Sequence, residues 1–60
     1  AMTTLTFKID TQLYNEASKN FEKYGLTFES ACVLFIKTSV YYGKFPFTFT
    51  EEDLRIAKGG

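Results

Sequence analysis

The sequence has no histidine and no tryptophan, one cysteine and one proline, and its longest apolar run covers only residues 31–36. Such a run is too short to cross a membrane. With a lone Cys32 and no histidine, neither an internal disulfide nor the usual zinc sites can form. The nucleophile–base pairs of covalent catalysis are missing too. We therefore expect no metal, no cofactor and no enzymatic activity, and a cytoplasmic protein whose single thiol stays reduced in an apolar setting.

The composition is nevertheless that of a folding chain, because 45% of the 60 residues are hydrophobic and 18% are aromatic. A disordered chain would be far more polar. A domain this small buries only a modest share of its surface and usually needs a disulfide, a metal or a partner chain. Since the first two are excluded, a homodimer is the simplest prediction.

Charge limits the kind of nucleic-acid binding that can be expected. Seven basic and seven acidic residues give a formal net charge of zero. A broadly basic surface that coats DNA without specificity is therefore excluded. Any DNA binding must depend on a few well-placed groups.

The segment Thr4 to Asp10 alternates between polar and apolar residues. This spacing predicts a β-strand with Leu5, Phe7 and Ile9 on a buried face. No second segment of the chain has a comparable pattern, so we expect the strand to pair with its copy in another chain. The result would be a two-stranded intermolecular ribbon that leaves no open edge.

Two helices are predicted next. The first begins at Asp10 or Thr11 and ends at Gly25, and the second begins at Thr27 and ends before Gly43 and Pro46. The second helix is apolar on nearly all sides, which is typical of a helix buried against several neighbours. Its dimer-core residues are expected to be Leu34, Phe35 and Thr38. After Pro46 the pattern predicts an extended aromatic segment and a short helix, which opens with a Thr50/Asp53 capping box.

Three short motifs occur in one order over residues 3–47: Phe7-Lys8-Ile9-Asp10, then Gly25-Leu26-Thr27 followed by Ala31 and Phe35, then Gly43-Lys44-Phe45-Pro46-Phe47. Together they resemble the N-terminal domain of RelB/DinJ antitoxins. The resemblance implies a mainly α, ribbon-helix-helix (β-α-α) fold, an intertwined homodimer with a two-stranded antiparallel intermolecular ribbon. Residues 3–46 would form the dimerisation and DNA-binding domain.

The same resemblance implies that residues 47–60 begin a toxin-binding tail. RelB/DinJ antitoxins normally extend well beyond sixty residues, so either this chain is truncated or its toxin-binding part is minimal. The partner would be a RelE/YafQ-like ribonuclease toxin. The residues that the resemblance assigns to toxin binding are Phe47, Phe49, Leu54 and Ile56.

DNA contacts are also implied by the resemblance, since the family inserts its ribbon into the major groove of operator DNA to repress transcription. Base contacts would come from Thr4, Thr6 and Lys8, and phosphate contacts from the backbone amides of Thr27, Phe28 and Glu29. Lys8 stands where the family commonly has arginine, which reads guanine better. Glu29 would lie close to an approaching phosphate.

Other interpretations of these residues are open. The polar face of the strand is equally typical of solvated surface. Thr27 is equally typical of ordinary helix capping. The tail phenylalanines are equally typical of a segment that folds back on its own domain. The function has two alternatives as well. One is a stand-alone repressor that resembles Arc or MetJ and has no toxin partner, and the other is a pure dimerisation module.

Overall fold

The computed structural model describes residues 1–59, and these form three α-helices. Helix α1 spans Thr11–Glu22, α2 spans Phe28–Tyr42 and α3 spans Glu51–Gly59. None of the helices in this described part is long and apolar enough to cross a membrane.

Helix α1 begins and ends where the sequence predicts. The side chain of Asp10 accepts a hydrogen bond from the amide of Leu13 (3.0 Å), which satisfies one of the unpaired donors of the first turn. At the other end Gly25 has a φ of 74°, and the Leu26 amide donates to the Phe21 carbonyl (3.1 Å). Glycine suits this reversal because a side chain is strained at positive φ.

Helix α2 also has both predicted ends. The Thr27 hydroxyl accepts from the amide of Ser30 (3.1 Å), and Gly43 closes the helix in the left-handed conformation with a φ of 70°. The Lys44 amide then donates to the Ser39 carbonyl (3.2 Å), as in a Schellman motif. The predicted capping residues and glycine stops of both helices are confirmed.

Helices α1 and α2 form a hairpin joined by residues 23–27. The ring of Phe28 lies against Tyr14 and Phe21, with ring centroids 4.8 Å and 5.7 Å away. These contacts fix the start of α2 on α1. Among residues 1–59 only Ala31 is buried, at the point where the two helices approach. The second helix is thus not covered on several sides within one chain.

The ribbon-helix-helix prediction is wrong for this structure, because residues 1–59 contain no β-strand. Residues 1–10 have no regular secondary structure, and Leu5, Phe7 and Ile9 are exposed. A strand needs the hydrogen bonds of a neighbouring strand, and the rest of this chain folds into helices that offer none. An alternating pattern gives a strand with a buried face only where another part of the protein covers that face.

The predicted dimer-core residues of α2 are uncovered within one chain, and their place in a dimer core stays a prediction. Leu34 and Phe35 are exposed and Thr38 is partly exposed. Thr38 uses its hydroxyl to donate to the Leu34 carbonyl (2.8 Å), one turn earlier in the helix. In the structure of one chain these residues line an open surface rather than a core.

Helix α3 confirms the capping box that the sequence predicts. The Thr50 amide donates to the Asp53 carboxylate (3.0 Å), and the Asp53 amide donates to the Thr50 hydroxyl (3.1 Å). This reciprocal pair satisfies two helix-end donors. Arg55 forms an exposed ion pair with Glu52 on the same helix. The predicted tail domain, 47–60, includes residue 60, which lies outside the described residues.

Candidate interaction surfaces

The chain exposes much more surface than a compact protein of its size. Its accessible area is 5921 Å², whereas a compact monomer of 6.9 kDa exposes about 4,000 Å². The excess, about 1,900 Å², is larger than the roughly 800 Å² that each partner buries in a standard protein interface. Many large apolar side chains are exposed, and exposed apolar surface on this scale is typical of interaction sites.

The N-terminal segment holds the residues assigned to base contacts. Thr4, Thr6 and Lys8 are exposed, as predicted, but so is every other residue of the segment 1–10. The structure therefore does not separate a polar outer face from an apolar inner face here. What it provides is a fully accessible segment in which Thr4, Thr6 and Lys8 stand at alternate positions.

At the N-terminus of α2, the three residues assigned to phosphate contacts are placed differently from one another. The Thr27 hydroxyl is already used, since it accepts from the Ser30 amide and donates to the Ser30 hydroxyl (2.9 Å). The ring of Phe28 packs on α1, and Glu29 is exposed. The amides of Phe28 and Glu29 have no carbonyl partner within the helix, because first-turn amides lack one. Any anion here would be bound by backbone, next to an exposed carboxylate.

A wide apolar groove of about 380 Å³ runs between α1 and α2. It is open to solvent and is bounded by side chains from both helices and their connection. The lining residues are Phe21, Tyr24, Leu26, Ala31, Leu34 and Phe35. Two of the predicted dimer-core residues, Leu34 and Phe35, thus lie together on this side of α2.

The aromatic cluster, defined as Phe35, Phe45, Phe47 and Phe49, attaches the tail to α2. Phe35 lies 5.7 Å from both Phe45 and Phe47, and Phe45 lies 5.1 Å from Phe49 between ring centroids. The sequence interpretation placed Phe35 in a dimer core and did not link it to the tail. The alternation of Phe45, Phe47 and Phe49 around Pro46 was the signal that could have indicated such a cluster.

Helix α3 closes a small apolar groove of about 150 Å³ against the aromatic cluster. Leu54 and Ala57 line this groove from α3, and Leu54 is 39% exposed. Ile56 lies outside the groove and is 61% exposed. The four residues assigned to toxin binding therefore divide into two groups. Phe47, Phe49 and Leu54 contact the chain itself, and Ile56 faces outward.

None of the residues 1–59 forms a group of ligating side chains that could hold a metal ion. The two grooves described here are open and mostly apolar. This arrangement suits the binding of another macromolecule better than the enclosure of a small substrate. Comparison with known protein families, curated proteins and solved structures finds no match to this chain.

Proposed function

We propose that the chain is a cytoplasmic antitoxin that self-associates, binds operator DNA to repress its own transcription, and neutralises a RelE/YafQ-like ribonuclease through its C-terminal tail. The observation that carries the proposal is the apolar surface left open by the folded chain, which exposes 5921 Å² with one buried residue in the described range. A protein with this surface works in contact with other macromolecules.

The motifs behind the antitoxin resemblance occupy structurally defined positions. Gly25-Leu26-Thr27 forms the reversal and the cap between α1 and α2, and Gly43 to Phe47 ends α2 and starts the tail. Phe35, a further motif position, contacts that tail. The second and third motifs thus have local roles at an element boundary or contact, whereas of the first motif only Asp10 does, as the N-cap of α1.

The DNA-binding part of the proposal depends on few charges. Lys8 is the one basic side chain of residues 1–10, and Thr4 and Thr6 are exposed beside it. Lysine and threonine can both bond to base edges in the major groove. The free amides at the start of α2 would add a phosphate contact. Nothing in this proposal requires a β-ribbon.

A stand-alone repressor without a toxin is the second candidate, and one observation favours it. The tail packs on α2 through the aromatic cluster, with Phe47 against Phe35. A tail that completes its own domain does not need a toxin to cover it. Binding of a ribonuclease by the purified protein is the measurement that separates the two candidates.

Thermal unfolding is expected to depend on protein concentration, because self-association stabilises only the folded chain. Each tenfold increase in concentration should raise the midpoint by about 5 °C for a dimer of 60-residue chains. Circular dichroism melts from about 1 to 100 µM would measure this. A midpoint that does not change over this range would contradict self-association.

Lys8→Ala is expected to weaken binding to operator DNA by about 5- to 150-fold, which corresponds to roughly 1–3 kcal/mol for one base contact. Thermal stability should hardly change, because Lys8 is exposed. Fluorescence anisotropy with a duplex from the gene's own promoter and a random duplex measures both affinity and specificity.

The matched control is Lys19→Ala, which removes the same charge from the exposed surface of α1. It should lower affinity for both duplexes only slightly, since it removes a general electrostatic attraction. Equal losses for Lys8→Ala and Lys19→Ala would mean that Lys8 does not read bases.

A further inference from the structure

Residues 44–59, here called the flap, form nearly all of their polar contacts among themselves. The Lys44 amide donates to the Ser39 carbonyl, and none of the hydrogen bonds described for residues 45–59 reaches α1 or α2. The capping box of α3 and the ion pair on that helix are both internal to the flap. Among the three helices described, only α1 and α2 bring their backbones close together.

The ring contacts between the flap and α2 both involve one residue of that helix. Phe35 packs on Phe45 and on Phe47, and we call this pair of ring contacts the closing contact. Elsewhere on α2, Thr38 and Tyr42 lie with the flap residues around a cleft of about 660 Å³. The flap thus stands away from the end of α2, and the closing contact holds it in place.

The flap is held together internally by its own apolar side chains. Phe45 lies 5.8 Å from Phe47 and 5.1 Å from Phe49 between ring centroids, and Leu54 and Ala57 of α3 line the groove against these rings. A helix of nine residues is only marginally stable by itself. Helix α3 therefore depends on the rings, and the flap forms or is lost as one unit.

Gly43 supplies a hinge between α2 and the flap. It is exposed, its φ is 70°, and even an added Cβ would meet no atom within 4 Å. Glycine takes positive and negative φ about equally readily, so the chain can change direction here at little cost. Hinges of moving segments are a few residues of this kind, placed at the end of an element.

We propose that the flap opens and closes as a unit about Gly43, and that the closing contact is autoinhibitory. Phe47 is one of the residues assigned to toxin binding, and in the closed chain it packs on Phe35. A ribonuclease that takes up the Phe47 ring must displace it from Phe35. This inference rests on the proposed function and adds a regulation of the same tail.

The closing contact has an unusual consequence for affinity. When only the open form binds a partner, the apparent affinity is the intrinsic affinity reduced by the fraction of open chains. A substitution on α2 that weakens the closing contact therefore strengthens ribonuclease binding. An ordinary structural contact would do the opposite, because its loss would disorder the binding residues.

Hydrogen exchange on the free, full chain tests the flap without any partner. The amides of α3 should exchange at least about 10-fold faster than those of α2, because the flap opens without unfolding of the α1–α2 hairpin. Phe45→Ala should accelerate exchange in α3 by about 10-fold or more, since Phe45 contacts the other three rings of the aromatic cluster. It should leave α1 and α2 unchanged, because Phe45 does not line the groove between them. Equal acceleration in all three helices would overturn the proposal.

Calorimetric titration with the ribonuclease encoded by the neighbouring gene tests the autoinhibition. Phe35→Leu removes the ring from both parts of the closing contact but keeps an apolar side chain in the groove between α1 and α2. This variant should bind the ribonuclease about 3- to 10-fold more tightly than the wild type. Tyr41→Ala removes a ring that contacts only Tyr42 among the aromatic residues described, and this control should leave the affinity unchanged.

Equal or weaker binding by Phe35→Leu overturns the autoinhibitory role of the closing contact. Should that variant fail to fold, Phe45→Ala gives the same test from the flap side, and it too should bind more tightly, because Phe45 is not among the residues assigned to toxin binding. If neither the wild type nor these variants bind the ribonuclease, the proposed function is contradicted. The exchange rates of α3 and α2 decide separately whether the flap opens.

Discussion

Replacing Phe35 with alanine is expected to lower the free energy of unfolding by about 2–4 kcal/mol. The Phe35 ring contacts Phe45 and Phe47, and it also lines the groove between α1 and α2. No other residue of the described chain contributes to both the groove and the aromatic cluster. Because small domains have only a few kcal/mol of stability, much of the variant should be unfolded at 25 °C.

Urea denaturation followed by circular dichroism measures this effect. Tyr41→Ala is the matched control, since Tyr41 lies on the same helix and its ring contacts only Tyr42 among the aromatic residues described. It should cost less than about 1 kcal/mol. Phe35→Leu should lie between the two. A Phe35→Ala variant as stable as Tyr41→Ala would show that the aromatic cluster does not hold the tail in solution.

Ile56→Lys is expected to weaken binding of the ribonuclease partner by 100-fold or more, because it places a cation where the tail should present an apolar contact to a basic surface. Ile56 is outside the groove that α3 forms with the aromatic cluster, so the free chain should keep its stability. Isothermal titration calorimetry with the product of the neighbouring gene provides the affinity.

Lys58→Ala on the same helix is the control, and it should leave the affinity nearly unchanged. A different result is expected for Leu54→Asp, which should lower both stability and binding, since Leu54 lines the groove. If Ile56→Lys binds the ribonuclease as tightly as the wild type, the outward face of α3 is not the toxin-binding surface. The tail would then belong to the chain's own domain, as in the stand-alone repressor.

The helices could be predicted from the sequence because their ends are set by local chemistry. Asp10, Thr27 and Thr50 each accept a hydrogen bond from an amide three residues later, and Gly25 and Gly43 take the positive φ that ends a helix. Such contacts depend only on neighbours in the sequence. The exposure of Lys8 and Glu29 could also be predicted from the sequence without knowledge of tertiary contacts.

The strand and the aromatic cluster could not be obtained in this way. Leu5, Phe7 and Ile9 alternate as in a half-buried strand, but no segment of the folded chain pairs with them or covers them. The contact of Phe35 with Phe47 joins residues twelve apart across a turn, so it depends on the path of the chain after Gly43. Periodicity within one segment carries no information about such a path.

The short connection between α1 and α2 has a consequence for folding kinetics. Nearly all contacts of the hairpin join residues close in sequence, so little loop entropy must be lost before they form. Chains of this kind fold in microseconds to milliseconds. Association of two chains is slower at micromolar concentration, and it should therefore limit refolding. The observed refolding rate would then increase with protein concentration, whereas the early gain of helical signal would not.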